Sequence, residues 1–187
     1  MKRVLKFFLS RVPIFLRLSQ TFAFRSLVKF EKNSKNLDLG CGDGWITSNI
    51  KRNKSAIVNY VDWKKSDYSF FPQNDFIESD IYNVPLKDSS IDTVILSSVL
   101  QVVDDDNRLI LEIKRLLKDK GNIILSVPLG YPLINQLLNI KVLNKEKISY
   151  ENFKNLTNKR FNIIGKGFYK KNEIEDFLTD NGFRILE

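Results

Sequence analysis

An eight-residue stretch combines an apolar strand end with glycine at every second position. It reads Leu-Asp-Leu-Gly-Cys-Gly-Asp-Gly over residues 37–44, and Trp45, Ile46 and Ile50 follow at helical spacing. Glycine allows positive φ and lets a ligand approach the backbone closely. A helix that begins directly after such a turn points unpaired N–H groups at that ligand. The stretch predicts a nucleotide-type binding corner with a helix from Trp45 to Arg52, and an ordinary glycine-rich turn is the alternative.

The spacing of the glycines excludes the dinucleotide fingerprint. That fingerprint is G-x-G-x-x-G, and its last glycine would fall at Trp45, whose bulk would block a pyrophosphate. The pattern D-x-G-x-G-x-G stands here instead, and it resembles the first motif of the Rossmann-like (class I) methyltransferases that bind S-adenosylmethionine. The resemblance implies that the methionine end of this cofactor lies along Asp38, Gly40, Cys41, Gly42 and Gly44.

A second motif lies at the end of the next strand. Residues 57–61 are mostly β-branched or aromatic, which indicates a strand, and Asp62 lies 18 residues after Gly44. That distance is close to the ~20 residues expected for an acid that accepts both hydroxyls of a ribose. The resemblance then implies that Trp63 covers the adenine, and a plain surface aromatic is the alternative.

Two more motifs follow in order. Residues 76–80 predict a short third strand, and the pair Asp80 and Ile81 resembles the family's pair that reads the adenine edge. A solvated acid at a strand end is the alternative for Asp80. Residues 84–98 resemble the family's fourth strand and the segment before it, with the apolar run of a strand buried on both faces. Ser97, at the end of this strand, is a further predicted cofactor contact.

The rest of the chain continues to alternate between helix and strand patterns. The predicted elements are a helix over 107–118, a fifth strand over 122–127, a helix from an N-cap at Asn172 to Asp180, a C′ glycine at Gly182, and a sixth strand from Phe183. The resemblance implies an α/β fold with a Rossmann-like methyltransferase sheet, mostly parallel, in the order 3-2-1-4-5-6. The family's usual seventh strand is expected to be missing.

The chain has 187 residues, which is enough for one domain with its own core. We expect a single methyltransferase domain made of four segments. They are basic amphipathic helices over 1–30, a cofactor-binding core over 35–127, a substrate cap over 128–168, and a terminal helix and strand over 169–187.

The composition restricts the catalytic chemistry. There is no histidine and a single cysteine, Cys41, which excludes Ser-His-Asp and Cys-His catalysis and histidine-ligated metals, so no metal site is predicted. The single cysteine fits a packing position better than a nucleophile, and without a disulfide a reducing cytosol is expected. The family often has a paired histidine within 98–106, which is missing here. The candidates for a base are therefore weak ones, Gln101, Asp104 and Tyr131, and Asp104 also fits as a helix-capping acid.

Positive charge is concentrated at the amino terminus. Residues 1–30 hold seven Lys or Arg, six Phe and no acid, whereas the rest of the chain holds 23 Lys or Arg against 22 acids. No apolar run approaches the ~18 residues of a membrane span. Two interpretations stay open: helices that pack on the domain as a lid, or peripheral contact with an anionic membrane surface. The expected location is cytoplasmic, at the inner face of the membrane under the second interpretation.

The resemblance implies a function in methyl transfer. The expected reaction is SN2 displacement from S-adenosylmethionine to a small-molecule or lipid-linked acceptor, and the Lys and Arg residues of segment 128–168 favour an anionic one. A catalytically inactive, cofactor-binding partner subunit is one alternative. A nucleic-acid binder, in particular an RNA-binding protein, is the other, suggested by the net charge of +8 but disfavoured because the excess lies in one Phe-rich segment.

Overall fold

The computed structural model describes residues 17–18, 20–26, 28–127 and 171–185. These residues fall into two compact units. The first contains the described residues up to 97 together with 107–126, and the second contains 98–106, 127 and 171–185. The whole of the predicted cap, residues 128–168, lies outside the described residues, and so do residues 1–16. The single-domain organisation therefore stays a prediction.

The first unit contains seven strands. They are β1 Lys29–Phe30, β2 Lys35–Leu39, β3 Lys51–Arg52, β4 Ile57–Asp62, β5 Phe76–Glu78, β6 Ile91–Ser97 and β7 Leu117–Ser126. Five of them form one sheet in the order β5-β4-β2-β6-β7, and every pairing in it is parallel. In the numbering of the predicted strands this order is 3-2-1-4-5, which confirms the α/β Rossmann-like sheet. The remaining two strands, β1 and β3, form a separate parallel pair.

Four helices accompany the described strands. They are α1, helical at residues 17–18 and 20–26, α2 Trp45–Ser48, α3 Asp106–Leu116 and α4 Lys171–Asp180. The predicted helix from Trp45 to Arg52 is too long, because α2 ends at Ser48. The Asn49 side-chain amide donates to the Trp45 carbonyl at 2.7 Å and caps the helix early. Strand β3 then pairs with β1, where the prediction had the last helical turn.

Helix α3 matches its prediction, but the strand after it begins early. The buried positions of α3 have the predicted helical spacing, at Leu109, Ile110, Ile113 and Leu116. Strand β7 starts at once, at Leu117, which pairs with Ile91, and the next pair is Thr93 with Asn122. Residues 118–121, which precede the predicted start of the strand, therefore form a bulge within the strand. The residues of β7 from 122 to 126 are exposed or half-buried, so this strand is less buried than β6.

The second unit contains α4 and its C-terminal cap. Lys171 is already helical, so Asn172 lies inside the helix and is not the predicted N-cap. Gly182 has the predicted left-handed backbone, with φ 81°. The N–H groups of Gly182 and Phe183 donate to the carbonyls of Thr179 and Leu178 at 2.8 and 3.0 Å, which is a Schellman motif. Residues 183–185 are not paired as a strand, so the sixth strand does not begin at Phe183 as predicted.

An ion-pair network holds the segment before β6 against α3. Glu112 is 7% exposed, and its Oε1 accepts hydrogen bonds from Val84 N–H and from the Arg115 guanidinium, both at 2.7 Å. Arg115 also donates to the carbonyls of Val84 and Leu86 at 2.9 Å and to Asp88 at 2.5 Å. The guanidinium thus ties the segment that leads into β6 to one helix, and this fixes where β6 starts.

We predict that Arg115→Met lowers the free energy of unfolding by about 2–3 kcal/mol at pH 7, because it leaves the buried Glu112 carboxylate with one donor. Burial would raise the pKa of Glu112, but the hydrogen bonds from Arg115 and Val84 outweigh burial and hold the pKa below its ordinary 4.5. Because the pKa of Glu112 is lower in the folded state than in the unfolded state, its carboxylate stabilises the fold at pH values above the unfolded-state pKa. This stabilisation is lost as pH falls through the folded-state pKa. The difference in the free energy of unfolding between the wild type and Arg115→Met should therefore shrink below pH 4.5, and urea unfolding at several pH values measures it. Lys114→Met, at an exposed neighbour, should show no such deficit, and equal effects of the two variants would contradict the prediction.

Candidate cofactor-binding site

The glycine loop begins where β2 ends and leads the chain into α2. Its glycines have φ values of 75° at Gly40, 56° at Gly42 and 71° at Gly44, all in the left-handed region. A residue with a Cβ is strained in that region, so the alternating glycines are required by this path. The N–H groups of Gly40 and Cys41 donate to the Val61 carbonyl at 2.8 and 3.0 Å. These bonds fasten the loop to the end of β4.

Two of the glycines have opposite surroundings. A Cβ on Gly44 would collide with the Phe71 ring and would lie 3.3 Å from the Tyr60 ring. Gly44 therefore allows two core aromatic rings to pack directly against the loop. A Cβ on Gly42 would meet no atom of the described residues within 4 Å. Gly42 thus faces open space, where a ligand can approach the backbone.

Asp62 ends β4 and contacts the loop directly. Its Oδ2 accepts a hydrogen bond from Gly42 N–H and its Oδ1 accepts one from Trp63 N–H, both at 2.8 Å. An ionised carboxylate has about four lone-pair sites, so both oxygens can accept further donors such as ribose hydroxyls. The structure therefore brings together two motifs that were predicted to share one ligand.

Three neighbouring carboxyl groups make the loop acidic. Asp38 is 3% exposed, and burial raises its pKa to about 7 while the Thr47 hydroxyl opposes this shift. The carboxylates of Asp62 and Asp43 raise the pKa of Asp38 further. A phosphate would be repelled here, whereas a positively charged ligand would favour the ionised form of Asp38. The sulfonium and ammonium groups of S-adenosylmethionine fit this environment, and a pyrophosphate does not.

Cys41 lies in the loop but is poorly suited to act as a nucleophile. It is half-buried and packs against the core cluster. Burial, followed by the Asp38 and Asp62 carboxylates, raises the pKa of its thiol well above the ordinary value. The thiolate is the reactive form of cysteine, so this environment suppresses reactivity. The packing interpretation is therefore the favoured one.

The individual contacts between α1 and the glycine loop were not predicted from the sequence, which gave only packing as a lid as one of two interpretations of this segment. The Arg17 guanidinium forms an ion pair with Asp43 and lies 5.7 Å from the centroid of the Trp45 ring. The Trp45 indole N–H donates to the Thr21 hydroxyl at 3.1 Å, and Phe24 is buried in the core cluster. Positions 17, 21 and 24 have the spacing of one helix face, which is the signal that sequence reasoning could have used.

The other predicted cofactor contacts follow the ends of neighbouring strands. Trp63 follows β4, Asp80 and Ile81 come two and three residues after β5, and Ser97 ends β6. Because these strands are parallel, their carboxyl ends meet at the edge of the sheet that carries the glycine loop. Trp63 is 77% exposed at this edge. The structure thus brings these four residues to the predicted edge, and their cofactor contacts stay predictions.

Asp80 and Ser97 also make contacts within the protein. The exposed Asp80 accepts a hydrogen bond from Tyr82 N–H at 2.9 Å, as a turn-forming acid does. The Ser97 hydroxyl lies 3.3 Å from the Ser126 hydroxyl on β7. One Asp80 oxygen is therefore engaged locally, and the carboxylate keeps lone pairs that could accept from an adenine amino group.

The three candidates for a base were not tied to the loop by any sequence motif. Gln101 and Asp104 belong to the second unit, where Gln101 is 8% exposed and Asp104 is exposed. Tyr131 lies outside the described residues. All three stay predictions.

Known proteins resemble this chain in sequence and in fold. A family model described as a methyltransferase domain matches residues 37–125, and no curated protein matches the sequence. An S-adenosylmethionine-dependent methyltransferase from Thermotoga maritima has a TM-score of 0.61 and 18% identity, over 99% of this chain and 82% of that one. One from Archaeoglobus fulgidus has a TM-score of 0.57 and 18% identity, over 95% and 74% of the two chains.

A third solved structure contains the cofactor. Phosphoethanolamine N-methyltransferase 2 from Haemonchus contortus, in complex with S-adenosyl-L-methionine, has a TM-score of 0.60 and 17% identity, over 90% of this chain and 37% of that one. The matched residues 37–125 contain the glycine loop, Asp62 and all or most of each of the five strands of the main sheet. The sheet order and these structural matches show the Rossmann-like fold of the class I methyltransferases, and residues 37–125 match the model of a methyltransferase domain.

Proposed function

We propose that this chain catalyses methyl transfer from S-adenosylmethionine to a small-molecule or lipid-linked acceptor. The observation that carries the proposal is the hydrogen bond from Gly42 N–H to the Asp62 carboxylate, at a glycine whose Cβ position faces open space. This arrangement provides a carboxylate for ribose hydroxyls next to a backbone that a ligand can approach. The proposal combines that geometry with the methyltransferase domain over 37–125.

In the proposed mechanism the protein mainly binds and orients. The cofactor supplies a methyl group on a sulfonium, which is already a good leaving group for SN2 displacement. The loop backbone would hold the methionine end, Asp62 would accept from the ribose, and Trp63 would cover the adenine. Alignment of the reacting atoms and exclusion of water then supply most of the acceleration. A base is needed only for an acceptor that is protonated at the attacking atom.

We propose an anionic acceptor. Segment 128–168 is rich in Lys and Arg in the sequence, and insertions after the fifth strand of such a sheet lie on the ligand side. The related Haemonchus contortus enzyme is named for phosphoethanolamine, a phosphorylated amine. The choice among O-, N- and C-methylation depends on that acceptor, and a screen of phosphorylated amines with radiolabelled cofactor is the first experiment.

We predict that Asp62→Ala weakens S-adenosylmethionine binding by about 1.5–3 kcal/mol, the range for hydrogen bonds to a charged group. Isothermal titration calorimetry measures this change. Asp67→Ala, which removes an exposed acid from the following loop, is the matched control and should bind as the wild type does. Wild-type affinity in Asp62→Ala would show that the ribose is not held here.

Gly42→Val is predicted to abolish cofactor binding while the protein stays folded. The new side chain would occupy open space and not displace protein atoms. The substitution also strains a left-handed residue, so a control with the same strain is needed. Gly182→Val provides it, since Gly182 has φ 81° and also has open space around its Cβ position. Loss of binding in both variants would point to a general effect on folding, and retained binding in Gly42→Val would contradict the assignment of the loop.

Deletion of residues 133–160 tests the proposed cap. We expect the deletion to spare cofactor binding, because the described contacts of the loop come from residues 17–71. Turnover on any acceptor found in the screen should be lost, because the deletion removes the proposed acceptor site. Calorimetry and a methylation assay measure the two effects separately. Unchanged turnover after the deletion would refute the cap.

We propose that the N-terminal segment acts as a lid that packs at the glycine loop, in preference to a membrane anchor. The ion pair from Arg17 to Asp43 and the hydrogen bond from Trp45 to Thr21 support this proposal. In the part of the chain that the structure describes, no helix combines the length and apolarity needed to cross a membrane. The proposed location is the cytoplasm.

We predict that Arg17→Ala weakens cofactor binding by about 1.4- to fivefold, since an exposed ion pair contributes about 0.2–1 kcal/mol. Arg25→Ala removes an exposed charge from the same helix and should leave the affinity unchanged. The wild-type chain should not sediment with anionic vesicles. Salt-reversible sedimentation, together with unchanged cofactor affinity in Arg17→Ala, would favour the membrane interpretation instead.

A further inference from the structure

A cleft of about 360 Å³ lies at the amino ends of β2, β6 and β7. The glycine loop follows the carboxyl end of β2, so the cleft and the loop are at opposite edges of one sheet. The volume is within the range of small-molecule sites. None of the residues proposed to bind S-adenosylmethionine lines this cleft.

A row of three polar side chains crosses the strands in this cleft. Asn36 pairs with Thr93, and Thr93 pairs with Asn122. Residues that pair in register point to the same face of a sheet, so the three side chains stand side by side. All three line the cleft. The inner strands of a parallel sheet, here β2 and β6, are normally apolar throughout, so the polar Asn36 and Thr93 at this position need an explanation.

Asn36 has an unmet hydrogen-bonding requirement. It is 1% exposed, and its Nδ2 donates to the Ser34 hydroxyl at 2.9 Å and to the Ile57 carbonyl at 3.0 Å. These two acceptors fix the orientation of the amide, because the opposite orientation would place the amide oxygen against them. Its Oδ1 has no partner among the described residues. A buried acceptor of this kind calls for a donor.

The rim of the cleft carries an excess of positive charge. Lys118 pairs with Asp92 at 2.7 Å and Lys29 lies 3.5 Å from Glu31, so these four charges offset one another. Lys32 and Lys120 also line the cleft. Neither has an ion pair with another described residue, which leaves about two positive charges for a ligand.

The bulge in β7 places lysines at this rim. The register shift between Ile91 and Thr93 inserts residues 118–121 beside the cleft. A Cβ on Gly121 would lie 2.8 Å from a Leu117 methyl group and 3.0 Å from the Lys118 carbonyl. The glycine is therefore needed for the tight backbone of the bulge. Bulges are frequent beside binding sites, where they redirect side chains.

We propose that this cleft binds a small phosphorylated polyol at a site separate from the cofactor. A phosphate group would pair with Lys32 and Lys120 through charge-assisted hydrogen bonds. A hydroxyl of the same molecule would donate to Asn36 Oδ1, and the Thr93 and Asn122 side chains offer further polar partners. S-adenosylmethionine carries no phosphate, so this ligand differs from the cofactor in its chemistry as well as in its position.

Calorimetric titration of the full chain with ribose 5-phosphate tests the proposal. We expect a Kd at or below about 1 mM. Lys32→Ala/Lys120→Ala should weaken binding about tenfold, because it removes both partners of the phosphate. Lys54→Ala/Lys114→Ala, an equal change of charge at exposed sites outside the cleft, should have less than about a twofold effect. Asp62→Ala should bind the probe unchanged, which separates this site from the proposed ribose site of the cofactor.

Inorganic phosphate tests the part played by Asn36. It should bind about fivefold more weakly than ribose 5-phosphate, and Asn36→Leu should remove that difference. If Asn36→Leu does not fold, the Asn36 side-chain amide resonances of the wild type serve instead, and they should shift with ribose 5-phosphate. No binding of ribose 5-phosphate, equal weakening in the two double-lysine variants, or loss of binding in Asp62→Ala would overturn the proposal. An unmoved Asn36 resonance would overturn it as well.

Discussion

The close packing of the Phe71 ring against Gly44 is the contact on which the binding corner depends. Phe71 stacks on Tyr60 with ring centroids 4.5 Å apart and on Phe76 at 5.5 Å. Tyr60 and Phe76 are paired residues of neighbouring strands, and Tyr60 also pairs with Asp38. The aromatic stack thus connects the sheet to the loop. Any side chain on Gly44 would displace the ring, so the loop path and the core are determined together.

In the first unit, the charges at the carboxyl ends of the strands differ from those at the amino ends. At the carboxyl edge Asp38, Asp43 and Asp62 interact with one another, and Arg17 from α1 offsets one of them. This edge suits a ligand with positive charge. At the amino edge the lysines outnumber the acids in the cleft, and that edge suits an anion. A single parallel sheet therefore offers two chemically different surfaces, because its strand ends are not equivalent.

The chain carries out its proposed chemistry with few reactive side chains. It has no histidine, and the pKa of its one thiol is raised by burial. Methyl transfer tolerates this composition, because the leaving group is part of the cofactor and the protein contributes mainly alignment. Binding residues are accordingly better defined than catalytic ones. Asp62 and the loop glycines have clear geometric roles, whereas the roles of Gln101, Asp104 and Tyr131 stay predictions.

The sequence by itself determined the sheet order, the glycine loop and the position of Asp62. The loop and Asp62 depend on local signals, namely apolar runs, glycines that permit positive φ, and a fixed distance from strand to strand. The sheet order came only from the resemblance to the class I methyltransferases. Only the tertiary structure decided that α2 stops at Ser48, that Lys118 to Gly121 form a bulge, and that Arg17 and Thr21 reach the loop. These features depend on partners distant in sequence, such as β1 for β3 and Asp43 for Arg17. The helical spacing of apolar residues continues through Ile50, but the helix ends at Ser48 and the chain then pairs as β3 with β1. Tertiary contacts of this kind override a weak local helix propensity.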